Sequence, residues 1–229
     1  MEYPHNRPYT ADDLVRIITL LRDPVNGCPW DKVQTHTSIR MNFLEEAYEA
    51  VDALDLDDPV LMCEELGDVL MQVAFHTCME QETGRFTWEQ VCDGVCQKLI
   101  ERHPNIFGTQ PGYEGITDWD ALKNKEKGRR TLADDLESVP RAMPALMRAA
   151  KLQKRAARHG AALQGADAAA LVDAAENLQT AQPASAQAEQ AVGELLFAAA
   201  NLARQAGVDP EQALQKANEA FCTATGPVA

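Results

Sequence analysis

The sequence predicts an all-α protein, a helical bundle, and three observations carry that prediction. Apolar residues recur at helical spacing over long stretches. β-Branched and aromatic residues never run in strict alternation. Alanine and leucine are abundant, while proline and glycine are sparse inside the apolar-periodic stretches. With 229 residues, 45% of them hydrophobic and 24% charged, the chain can bury a real core as a soluble globular protein.

The elements follow in order. Thr10 with Asp13 three residues on resembles a capping box, and Leu14, Ile17, Ile18 and Leu21 follow at helical spacing until Arg22, Asp23 and Pro24 stop a first helix over 11–22. The stretch Asn-Gly-Cys-Pro-Trp-Asp (26–31) is a loop by its Gly and Pro, and helical periodicity resumes over 38–56. Asp58 before Pro59 is an N-cap with proline at the first helical position, so a helix runs over 59–82 and Gly84 ends it. Thr87 and Gln90 open another helix through Val91, Val95 and Leu99, closed by Pro104. A Gly- and Pro-containing loop (104–117) leads to a short helix over 119–127, a linker over 128–140 and a basic helix over 142–158. Beyond Gly160 the chain turns alanine-rich, and residues 182–185 break it into two helices.

An internal repeat is visible: ELGDVLMQVAFHT (65–77) lies on AVGELLFAAANLA (191–203), and DGVCQKLIERH (93–103) on EQALQKANEAF (211–221).

A formal net charge of −14 repels a phosphate backbone, and the basic clusters at 123–130 and 148–158 are short and mixed. Nucleic acid is therefore not an expected partner, whereas a small phosphate ligand held by a few local cations stays open. The N-terminus has no apolar signal core and no apolar run can span a bilayer, so no membrane association is expected and the protein is placed in the cytoplasm. Six cysteines (28, 63, 78, 92, 96, 222) lack the paired spacing of a zinc site and read as free thiols.

The acids around residues 57–59 carry the chemistry. Glu45, Glu46 and Glu49 share one helix face, and Glu64, Glu65 and Asp68 another. By itself the first cluster reads as a solvated face, because Leu44, Ala47, Tyr48, Val51 and Leu54 fall opposite. The second helix is apolar almost all round, with Met71 and Phe75 flanking the acids and Leu66, Val69, Leu70 and Val73 covering the rest, so it is expected to be buried with its acids inside protein. A hairpin reversing at Asp57 brings Glu46 level with Asp68 and Glu49 level with Glu65, since each pair is equally far from the break. Four carboxylates at one height need a cation or a large pKa rise. All-oxygen ligands without His or thiolate select a hard ion, Mg²⁺ with Mn²⁺ as substitute, rather than Zn²⁺. A di-iron bundle would need Glu-x-x-His pairs, where this chain has Glu65-x-x-Asp68. Carboxylate-bound Mg²⁺ commonly works on phosphate oxygens, and no GxxxxGK[ST] loop is present. Lys98 and Arg102, four apart on one face, with Lys123 beyond, are the candidate cations for a polyphosphate tail or else ordinary surface bases.

These residues resemble MazG, the nucleoside triphosphate pyrophosphohydrolases of the all-α NTP pyrophosphatase superfamily, whose signature is EExxE followed after a spacer by ExxD. The motifs here are Glu45, Glu46 and Glu49, then Glu65 and Asp68. LRDPVNGCPWDKVQTHTSI (21–39), KLIERHPNIFG (98–108) and VPRAMPALMRAAKLQKRA (139–156) are MazG-like too. The resemblance implies Mg²⁺-dependent hydrolysis of an NTP or dNTP to the monophosphate and pyrophosphate in a homodimer-forming bundle. It implies Glu46, Glu49, Glu65 and Asp68 as metal ligands and a catalytic centre at Glu45 and Glu46, with Glu45 orienting or deprotonating the water. It also implies phosphate contacts from Lys98 and Arg102, a closing helix with Trp119 and Lys123, and a base contact from Trp30. In these terms residues 1–130 are the catalytic domain, 131–160 a linker and basic helix, and 161–229 a degenerate second repeat. There the ExxD acids align with Ala191 and Glu194, and Asp173 and Glu176 are a partial relic of EExxE. Those lost acids leave a second class of function in view, a non-catalytic nucleotide sensor or scaffold.

Overall fold

The computed structural model describes residues 3–108, 122, 124 and 126–226. All regular structure among these residues is helical: α1 (Ala11–Leu21), a 3-10 turn (Asp31–Val33), α2 (Arg40–Asp55), α3 (Pro59–Glu82), α4 (Trp88–Arg102), α5 (Leu132–Glu137), α6 (Ala145–Arg158), α7 (Ala168–Thr180), α8 (Ala186–Gln205) and α9 (Pro210–Thr225). They fall into two compact units, Met1–Ile116 and Thr117–Ala229. No helix among the described residues is long and apolar enough to cross a membrane.

Side-chain caps set the helix starts. Thr10 and Asp13 form a complete capping box on α1, and Thr87 and Gln90 form one on α4. The Asp58 carboxylate accepts from the Val60 and Leu61 amides at 2.9 and 3.2 Å, with Pro59 opening α3.

In the first unit α1, α2 and α4 all pack on α3. The core gathers Ile18 of α1, Ile39, the α3 residues Ala74, Phe75, Cys78 and Met79, and Trp88 of α4. Only the C-terminal half of α3 is buried, however. Gln72 and residues 74–75 and 77–80 are enclosed, whereas Leu66 and Leu70 are 50% and 40% exposed. The expectation of a helix buried all round fails because α1 and the start of α4 cover the C-terminal half alone. α2 departs from the ordinary amphipathic pattern as well: small Ala50 and Ala53 are buried, and Tyr48, Val51 and Leu54 point outward.

The loop after α1 is anchored rather than free. Arg22, itself buried, forms a bidentate pair with Glu82 and donates through Nη1 to the Asp31 and Gln34 carbonyls at 2.7 and 3.2 Å. A Cβ on Gly27 would lie 2.4 Å from the carbonyl oxygens of Leu21 and Asp23, so only glycine permits this turn.

In the second unit α7 and α8 form a hairpin, α6 packs on α8, α9 packs on α6 and α8, and α5 packs on α6. Its core is alanine-rich, with Ala174, Ala191, Ala198 and Ala200 buried. Buried amides tie it together: Gln153 donates to the Phe197 carbonyl at 2.7 Å and Asn201 to the Ala166 carbonyl at 2.6 Å.

Three features here differ from expectation. The stretch read as a linker contains α5, opened by a Thr131–Asp134 capping box that is legible in hindsight. The basic helix begins at Ala145, because Pro144 cannot continue a helix on its N-terminal side. The region beyond Gly160 forms three helices, since Gly207 takes a positive φ and Asp209 caps Pro210 to start α9. Of the helix expected over 119–127, residues 122, 124 and 126 are helical, and Trp119 and Lys123 lie outside the described residues.

Asp135 of α5 is the pivot of this unit at 1% exposure. It accepts from Arg158 at 2.7 Å and from His159 at 3.1 Å, and Arg155 lies 3.1 Å away. Burial raises its pKa, but hydrogen bonds from Arg158, Asn124 and His159 and the Arg155 charge together hold the carboxyl below its usual range. A depressed folded pKa means stability that is present above the ordinary carboxylate pKa and lost as pH falls through the folded value. Asp135→Ala, which strands buried arginine charge, is expected to cost about 3–5 kcal/mol in denaturant unfolding at neutral pH. A loss under about 1 kcal/mol would show that the pairs contribute only as surface ion pairs do.

Candidate metal centre

The site is built on the α2–α3 hairpin. α2 closes on Ala50 and Ala53, whose small side chains leave room for the longer carboxylates on the same face. Asp57 reverses the chain with φ of +54°, a left-handed conformation that Asp tolerates better than most residues, and Asp58 restarts the helix one residue later. So tight a break keeps the two helices in register.

Glu46, Glu49 and Glu65 each present one carboxylate oxygen, and the three oxygens lie within 4.8 Å of one another. Asp68 is outside that trio but acts on it through its charge. The strongest coulombic partner of Glu46 is Asp68, and that of Glu65 is Glu49, the two pairs equidistant from Asp57. Burial pushes the Glu46 carboxyl up, and Asp68 and Glu49 push it further. Glu65 is raised likewise, by desolvation first and then by Glu49, Asp68, Glu64 and Glu46. Like charges packed this closely, with only oxygen donors, suit a hard divalent cation.

The remaining candidates lie around this group. Glu45 is exposed on α2, beside Glu46 in sequence and one turn from Glu49. Glu64 is exposed as well. Lys98 is exposed and Arg102 half-buried on one face of α4. Trp30, 57% exposed, stands at the start of the 3-10 turn that Arg22 anchors.

Two features escaped the reading of the sequence. Gln72, buried on α3, donates to Glu46 Oε1 at 3.4 Å. Its position, four after Asp68 and seven after Glu65, puts it on the acid stripe, which is the signal that could have found it. His36 and His76 face each other Nδ1 to Nδ1 at 2.7 Å, and His36 Nε2 pairs with buried Glu80, which also binds Arg85. Burial and then the His36 charge depress the His76 pKa. This contact pins the segment before α2 onto α3, and no spacing rule brings residues 36, 76 and 80 together.

Residues 34–107 match the MazG nucleotide pyrophosphohydrolase domain. The chain is 41% identical to a nucleoside triphosphate pyrophosphohydrolase of Escherichia coli strain K12, over 92% of this chain and 83% of that protein. The chain belongs to the MazG family. A nucleoside triphosphate pyrophosphohydrolase/pyrophosphatase MazG of Thermotoga maritima is 39% identical over 92% of this chain and 82% of its own length. The uncharacterized protein YabN of Bacillus subtilis is 38% identical over 90% of this chain, a stretch covering 43% of that longer protein. MazG pyrophosphohydrolases are metal-dependent hydrolases, and the matched span 34–107 contains every carboxylate of the group together with Lys98 and Arg102.

The electrostatics set a sign for stability. Because Glu46 and Glu65 have raised pKa values in the folded state, the native protein binds more protons than the unfolded chain just above the ordinary carboxylate pKa. Stability therefore falls as pH rises from the ordinary carboxylate pKa through the raised folded values. In EDTA at pH 7, Glu46→Gln and Glu65→Gln are expected to raise the melting temperature, with the gain vanishing near pH 4. Calorimetry over that range checks it, and an unchanged melting temperature at pH 7 would contradict it.

Proposed function

We propose that this MazG protein hydrolyses nucleoside triphosphates, ribo- or deoxyribo-, to the monophosphate and pyrophosphate with Mg²⁺ as its ion and Mn²⁺ as a substitute. The observation that carries the reading is the meeting of three carboxylate oxygens within 4.8 Å across the α2–α3 hairpin of a MazG chain. Glu46, Glu49, Glu65 and Asp68 hold the ion. When bound, the ion neutralises phosphate oxygens and lowers the pKa of an attacking water. Glu45, exposed beside this group, orients or deprotonates that water. Lys98 and Arg102 contact the phosphates from one face of α4. Trp119 and Lys123, which lie outside the described residues, contact the nucleotide, and Trp30 contacts the base from its anchored loop.

The functional protein is a homodimer in the cytoplasm that cleanses or regulates the nucleotide pool. Support for dimerisation comes from the outward apolar residues Tyr48, Val51 and Leu54 of α2 and Leu66 and Leu70 of α3, a face that a second copy would cover. Residues 1–130 form the catalytic domain, 131–160 connect, and 161–229 are a degenerate repeat serving assembly or stability. In its favour, buried Ala191 stands where the repeat calls for a ligating glutamate, while Asp173 and Glu194 line a cleft of about 620 Å³.

Purified protein with Mg²⁺ is expected to release pyrophosphate from at least one of the eight common NTPs and dNTPs. Glu49→Ala and Asp68→Ala should lose more than the roughly 10–100-fold that outer-shell changes cost. Nucleotide and Mg²⁺ binding without turnover would make the chain a nucleotide sensor instead. Two residues inserted after Asp57 should weaken Mg²⁺ binding, because the insertion moves Glu65 and Asp68 off the level of Glu49 and Glu46. Mg²⁺ at a hundred times its Kd should add about 2.7 kcal/mol to the stability of the unit that holds it.

A further inference from the structure

We propose that Gln72 is a positioning residue for the metal centre, its carboxamide holding Glu46 in the orientation in which that carboxylate ligates the ion. The inference rests on the reading of Glu46 as a ligand.

Gln72 is 7% exposed and lies on α3 between the acid-bearing half and the core half of the helix. Its Nε2 donates to Glu46 Oε1 at 3.4 Å, across the hairpin. A carboxylate can only accept, so its presence fixes which end of the amide faces it. The other end, Oε1, is buried and has no hydrogen-bond partner among the described residues. An amide satisfied at one end only is a poor choice for stability, since an unsatisfied buried acceptor carries a desolvation cost that an apolar side chain of the same shape avoids. What the amide does supply is directional. Among the groups acting on Glu46, Asp68, Glu49 and Glu45 all oppose its charge, whereas the Gln72 hydrogen bond favours it. The carboxylate would otherwise swing away from its neighbours, and the amide keeps it turned into the group. Outer-shell partners of this kind commonly tune metal affinity by about 10–100-fold.

The test compares wild type with Gln72→Met, which keeps an unbranched side chain of similar length and removes the donor. Mn²⁺ binding to the metal-free protein is measured by calorimetry, and Glu49→Ala serves as the control that loses a ligand. Gln72→Met is expected to keep its helical content and melting temperature in EDTA while its Kd for Mn²⁺ rises about 10-fold or more. The Mn²⁺ concentration for half-maximal pyrophosphate release should rise by the same factor, with KM for nucleotide unchanged at saturating metal. A purely structural residue would lower the melting temperature and leave the Mn²⁺ affinity of the folded protein within 2-fold of wild type, and that result overturns the inference. If Gln72→Met does not fold, Gln72→Asn, which withdraws the amide by one methylene, carries the same expectation and the same refutation. Failure of the wild type to bind Mn²⁺ would instead overturn the metal-centre reading, and this inference with it.

Discussion

Carboxylates facing one another across the α2–α3 hairpin are the constraint around which the first unit is organised. Glu46, Glu49 and Glu65 bring oxygens within 4.8 Å, and Asp68 adds its charge to theirs. Such a group repels itself, so something must hold the two helices together despite it. That is accomplished away from the acids. Ala50 and Ala53 allow close approach on α2, and the C-terminal half of α3 is clamped by α1 and the start of α4 around Phe75, Cys78 and Met79. Each fully buried core side chain of that size contributes about 1.5–3 kcal/mol, enough in sum to offset strain at the open end.

α3 is thus one helix with two occupations. Its C-terminal half is core and its N-terminal half presents acids beside exposed leucines, with Gln72 at the boundary. The same division explains how the anchored loop relates to it. Arg22 binds Glu82 at the C-terminal end of α3 and holds the Asp31 and Gln34 carbonyls, while His36 reaches His76 and Glu80, six and two residues earlier on the same helix. The segment carrying Trp30 is therefore referenced to the rigid half of α3.

In the second unit the α7–α8 hairpin is packed on alanine. Ala191 and Ala198 are buried on α8, and the polar groups inside, Gln153 and Asn201, spend their donors on backbone carbonyls. Among the described residues, charge enters its interior at Asp135 and Arg155, and a second arginine and a histidine meet the same carboxylate. Among the described residues, the acids of the α2–α3 hairpin push one another's pKa values up, whereas Asp135 of α5 is held by cations of α6.

The helices, their caps and the level of the acids on either side of Asp57 were determined by the sequence itself. Helical period, capping chemistry at Thr10, Asp58 and Thr87, and a fixed rise per residue are local properties that need no tertiary information. The family was legible for the same reason, because its acid motifs are short and local. Tertiary structure alone decided which faces turn inward. The pattern of α2 by itself put Tyr48, Val51 and Leu54 on the inward side opposite its acids, yet packing buries Ala50 and Ala53 and leaves those larger residues exposed. It likewise decided that half of α3 is open, and that Gln72 meets Glu46 and His36 meets His76, contacts spanning 26 and 40 residues. Burial depends on what each element packs against, and that partner cannot be read from the element's own residues.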